Sequence, residues 1–125
     1  MQFFELDITT HTNGEKTSLK VKADCTFENG VFNAIYRDNG ATVCMQITEK
    51  TAKIRRVGDY SLDVTLEEGK RTVSKLGFGS NEGEIATVTD EVSLLARENG
   101  VLIFLEYSLD FGREKQNMKL RILAR

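Results

Sequence analysis

The chain is predicted to be all-β, a single closed antiparallel up-and-down β-barrel of about ten strands, and three observations carry that prediction. Apolar and polar residues alternate with a period of two along most of the chain, Asn-Gly recurs four times between the alternating runs, and proline is absent. Alternation buries one face of each strand and wets the other, as antiparallel sheets do. Asn-Gly supplies the positive φ angles of tight hairpin turns. Without proline no ladder is interrupted from within.

The strands follow in order. Leu19, Val21, Ala23, Cys25 and Phe27 share one face, against Lys20, Lys22, Asp24 and Thr26 on the other. Ala41, Val43, Met45 and Ile47 repeat the pattern, as do Tyr60, Leu62, Val64 and Leu66. Val101, Ile103, Leu105, Tyr107 and Leu109 form a long run, followed by Met118, Leu120, Ile122 and Ala124. The predicted spans are 2–10, 17–27, 31–38, 41–48, 51–57, 60–68, 70–78, 84–89, 91–97 and 100–110, with 116–124 an eleventh. Residues 89–99 also carry a helical alternative, since Val92, Leu95 and Ala96 share helical spacing and Thr89 or Asp90 could cap it. Strand is the preferred reading. Turns at Asn13-Gly14, Asn29-Gly30, Asn39-Gly40, Asn99-Gly100, Glu68-Gly69 and 110–115 join neighbours directly. Hairpin-by-hairpin connection favours a barrel, which leaves no open edge. Residues 1–125 read as one domain, without linker, repeat or low-complexity stretch.

Composition narrows the function classes. With 17 basic and 19 acidic residues interspersed, the formal net charge is −2. That balance speaks against a nucleic-acid binder, which usually shows a basic excess or face. No basic and apolar leader stands at the start, and no apolar run approaches the ~18 residues of a membrane span. A cytoplasmic bacterial protein with no membrane partner is the expectation. Cys25 falls in the apolar phase of its strand and Cys44 in the polar phase of its own, so side chains on opposite faces are expected to stay free thiols.

Several stretches together resemble the YwiB-like family of small bacterial proteins. These are Ile47-Thr48 with Ile54-Arg55-Arg56-Val57-Gly58, the turn Leu66-Glu67-Glu68-Gly69-Lys70-Arg71-Thr72, and Gly83-Glu84-Ile85-Ala86-Thr87-Val88-Thr89. Glu98-Asn99-Gly100-Val101 and Leu105-Glu106-Tyr107 fit the family's last long hairpin. Leu76 and Phe78 stand where members often carry tyrosine and a proline-containing turn. The resemblance implies a lipocalin-like (calycin) barrel and a cytoplasmic setting, and no function, since the family has none assigned.

Candidate chemistry is sparse. His11 is the only histidine and is expected as a solvated turn residue; with two separated cysteines it makes no metal-ligand spacing and no nucleophilic triad. Neither a metal nor a cofactor is expected. Gly77-Phe78-Gly79-Ser80-Asn81-Glu82-Gly83 lacks the spacing and following helix of a phosphate loop, and reads as a mobile or kinked loop. Asp63, Glu67, Glu82, Glu84 and Glu106 fall in solvent phases or turns. Lys53 with Arg55, and Lys119 with Arg121 and Arg125, form basic stripes without the aromatic rings that nucleic-acid stacking needs.

Arg56 stands out because Ala52, Ile54 and Arg56 share the inward phase. A buried guanidinium needs partners. Either it closes a barrel rim through carbonyls or a carboxylate, or it anchors an acidic head group beside Tyr36, Tyr60 and Tyr107, which are also on inward phases. Arg56, Tyr36, Tyr60 and Tyr107 are therefore the candidate ligand-binding residues. The expected function is non-enzymatic binding of a small apolar or anionic amphipathic ligand inside the barrel, with no catalytic residues. The alternative is a side-chain-filled barrel acting as an interaction module or homodimer through Leu95, Leu102, Phe104 and Leu123, which occupy outward phases.

Overall fold

The computed structural model describes Met1–Arg125. Ten strands form it: β1 (Gln2–Thr12), β2 (Glu15–Glu28), β3 (Val31–Asp38), β4 (Ala41–Ile47), β5 (Thr51–Val57), β6 (Ser61–Glu67), β7 (Arg71–Phe78), β8 (Asn81–Arg97), β9 (Gly100–Asp110) and β10 (Lys115–Ala124). Each pairs antiparallel with the next, and β1 with β10 closes the barrel through Leu6–Thr12 and Met118–Ala124. The predicted fold class holds.

The spans predicted at 84–89 and 91–97 are one strand. Ile85, Thr87 and Thr89 point inward, then Val92 does, so the buried phase changes parity. In sequence such a break looks like a turn. Here it is a β-bulge at Asp90: Thr89 faces Tyr107 while Glu91 faces Glu106. Residues 89–97 are strand rather than helix. A second register shift lies between β1 and β2, where Phe3 faces Cys25 but Glu5 faces Lys22, and the Phe4 ring between them is exposed.

Three of the four Asn-Gly pairs behave as predicted, with positive φ at both residues of 13–14, 29–30 and 39–40. The fourth is displaced by one residue. Gly100 pairs with Arg97 and already lies in β9, where an added Cβ would come within 2.9 Å of the Ala124 carbonyl. The stretch expected as a loop at 77–83 is instead a tight β7–β8 hairpin, with Phe78 opposite Asn81 and Gly79 at φ +56°. His11 lies within β1, half-buried between Lys16 and Lys119, rather than in the turn.

The barrel is packed solid at one end. Phe27, Phe32, Ile47, Ala52 and Leu66 are successive cross-strand partners, and all but the half-buried Phe27 are enclosed. Leu6, Val101, Ile103, Ile122 and Ala124 complete this layer from the long strands. Ser74 and Thr87 are also buried and satisfy each other at 2.8 Å. No helix is long and apolar enough to cross a membrane.

Candidate functional site

At the opposite end the inward side chains do not meet. A cavity of about 370 Å³ lies between Ile8, Thr10, Tyr36, Leu62, Tyr107 and Leu120, with Met45, Ile54 and Val64 beneath it. That volume is within the range of small-molecule sites. Its opening has a cause in the ladder. β2 pairs with β3 only from Asp24 to Glu28, so Glu15–Ala23 has no partner on that side. Exposed Thr17 and Ser18 on β2, and Asp38 on β3, border the cavity where the two strands part.

Tyr36 and Tyr107, two of the residues singled out in sequence, face this space and are 9% and 5% exposed. Burial, reinforced by the Asp38 charge, pushes the Tyr36 phenol up to about 12. Burial alone pushes Tyr107 up to about 12. Both are therefore neutral hydroxyls near pH 7, able to donate to a bound acceptor. Opposite Tyr107 in register, the enclosed Thr89 hydroxyl has no hydrogen-bond partner.

Arg56 and Tyr60 sit at the rim rather than in the cavity wall. Tyr36, Val43, Arg56 and Leu62 are successive cross-strand partners, which puts Arg56 two strands, or ~10 Å, from Tyr36. The guanidinium donates to the Tyr60 carbonyl at 2.9 Å and to Asp59 Oδ1 at 3.0 Å, and stacks 3.8 Å over the Tyr60 ring. Its hydrogen bond holds the Asp59 carboxyl below the usual range. Tyr60 in turn packs on Phe78, with ring centroids 5.6 Å apart. Of the two sequence readings of Arg56, these contacts are those of a rim clasp. Further guanidinium N–H groups stay available, and Asp59 is exposed.

Gly58 allows the clasp to form, because a Cβ there would lie 2.9 Å from Ala41 Cβ and 3.4 Å from the Arg56 guanidinium. Gly58→Val is expected to force the β3–β4 and β5–β6 turns apart and cost about 1–3 kcal/mol in chemical denaturation. An unchanged midpoint would show that the turns do not press together.

Sequence reasoning missed Thr10, Asp38 and Leu120 as site residues; they share the inward phases of their strands and line the cavity. Cys25 is buried and Cys44 exposed, and both are free, as expected. Burial, with Asp24 adding, pushes the Cys25 thiol up to about 11.

Fold and site together define a ten-stranded closed β-barrel with one filled and one open end. The chain belongs to the family described as a domain of unknown function (DUF1934), whose model matches residues 4–122. The crystal structure of the ywiB protein from Bacillus subtilis superposes with a TM-score of 0.84 over 99% of this chain and 92% of that one, at 14% identity. That likeness shows the fold. No curated protein matches the chain.

Proposed function

We propose that the protein is a non-enzymatic binder that holds a small apolar or anionic amphipathic molecule in the open half of its barrel. The observation that carries this reading is the cavity between Tyr36 and Tyr107 above a layer of enclosed side chains. An apolar body fits against Ile8, Leu62 and Leu120, and either phenol can donate to a polar atom of the ligand. A negative head group reaches the rim, where it competes with exposed Asp59 for Arg56.

The test uses native and denaturing mass spectrometry on gently purified protein, followed by titration with 1-anilinonaphthalene-8-sulfonate, an apolar anion. Bound mass lost on denaturation, and saturable dye binding abolished by Leu62→Trp, are the expected results. Asp59→Asn, which frees Arg56, should tighten the anionic dye by about threefold to tenfold and leave a neutral analogue unaffected. Dye binding indifferent to Leu62→Trp would sink the proposal.

A second reading rests on the outer surface. Leu95, Leu102 and Leu123 are cross-strand partners in one row, with Phe104 in the next, and Leu95 and Phe104 are 51% and 40% exposed. A homodimer through this patch would be dissociated by Phe104→Glu, read as a halved mass in light scattering. A monomer at high concentration would remove this reading.

A further inference from the structure

A concavity larger than the interior cavity lies on the outside of the barrel. It is a groove of about 840 Å³ on the outer surface, running across the strands from Phe4 to Val73. Two neighbouring rows of cross-strand partners form its floor. One row is Gln2, Thr26, Asn33, Gln46, Lys53 and Thr65. The other is Asp24, Ile35, Cys44, Arg55, Asp63 and Lys75.

The charges of this face cancel locally. Arg55 lies 3.4 Å from Asp63, and Lys75 lies 3.8 Å from Glu82 just outside the groove. Lys53 and Asp24 remain, one of each sign. What is left in the first row is a strip of amides and hydroxyls, each able both to donate and to accept. Apolar surface is concentrated beside it, in Phe4 at 62% and Ile35 at 46% exposure.

We propose that this groove binds a linear, uncharged oligosaccharide laid across the strands. A sugar ring has an apolar C–H face and a rim of hydroxyls that donate and accept. Phe4 offers a flat ring for the face, and Thr26, Asn33, Gln46 and Thr65 offer partners for the rim. The repeat also suits: neighbouring strands are ~4.8 Å apart, close to the length of one ring, so each sugar meets a fresh side chain of the row. A polyanion would find no net positive field here. A single-stranded nucleic acid needs a basic track with several stacking rings, whereas Phe4 is the one aromatic residue of the lining. The groove takes outward side chains of β3–β6 and the interior cavity takes inward ones, with Met45, Ile54 and Val64 lying between the two.

The experiment is a nitrogen-15 NMR titration of the full chain with the hexasaccharides of cellulose, starch, laminarin, chitin and xylan. Saturable shifts at the side-chain amides of Asn33 and Gln46 with at least one of these is the expected result. Phe4→Ala should then weaken binding about tenfold and Gln46→Ala about fivefold, while Leu62→Trp, inside the barrel, leaves it unchanged. Phe4 and Gln46 are exposed, so both variants keep the fold, and their own spectra check this. Absence of saturable shifts across the panel overturns the proposal. So do shifts confined to Tyr36 and Tyr107, or an affinity that neither groove substitution alters.

Discussion

Replacing Phe32 by alanine is expected to lower the stability of the barrel by about 3–5 kcal/mol, a large share of the ~5–15 kcal/mol that holds a domain of this size folded. The ring is fully enclosed between its cross-strand partners Phe27 and Ile47, and beyond Ile47 in the same row stands Ala52. Phe32 is the largest of the fully buried side chains, so its truncation removes more enclosed volume than any other single deletion to alanine in this layer. Deletion of a ring from such a site loses the transfer free energy and also leaves a cavity. Three residues on, in the opposite phase, Ile35 is 46% exposed. Ile35→Ala should change stability by no more than about 0.5 kcal/mol. Urea denaturation of the two variants side by side measures the difference. Comparable losses at both positions would mean that the inward and outward phases of β3 are wrongly assigned, and with them the register of the closed sheet.

That experiment concerns the part of the structure most legible in the sequence. Period-two alternation is a local property, and each hairpin carries its own turn residues. Asn13-Gly14, Asn29-Gly30 and Asn39-Gly40 could therefore be placed without knowing what surrounds them. Errors arose where local pattern and tertiary geometry part company. Asp90 breaks the alternation of β8 as a turn would, yet the strand continues because β9 stays paired on both sides of the bulge. Gly100 looks like a turn glycine but is required by the closeness of the Ala124 carbonyl on the adjacent strand β10.

The candidate site was legible only in its residue types. Tyr36 and Tyr107 could be seen to point inward, and so could Arg56. Nothing local shows that Glu15–Ala23 lacks a partner in β3, and this parting determines which inward residues meet a cavity and which meet one another. The same limit hid the outer groove. Asn33, Gln46 and Thr65 lie on three different strands and become a row only through register. The division of the barrel has a physical consequence. Burial concentrated in the Phe27–Leu66 layer lets the open end leave apolar contacts unmade without loss of the fold, as binding sites commonly do.

The two cavity tyrosines should make the protein markedly alkali-labile. A phenol ionises near 10 in the unfolded chain, whereas Tyr36 and Tyr107 are each pushed up to about 12 in the native one. Between these values the native state keeps protons that the unfolded state has lost, so unfolding becomes easier as pH rises. The stabilisation is fully present below pH ~10 and disappears as pH climbs through ~12. At about 1.4 kcal/mol per pH unit for each group, the pair can remove on the order of 5 kcal/mol across that window. Cys25, pushed up to about 11, adds in the same direction from a lower starting value. Denaturation midpoints taken from pH 8 to pH 11.5 should therefore fall steeply above pH 10. Tyr107→Phe removes one ionisable group while keeping the ring in place, and should flatten the fall by roughly its share, about 2–3 kcal/mol at the alkaline limit. A ligand that seals the cavity would deepen the burial of both phenols and should delay their ionisation further, observable as a later rise of phenolate absorbance. If Tyr107→Phe leaves the alkaline slope untouched, the phenol is hydrated in the native state, and the open half of the barrel is wetter than its lining implies.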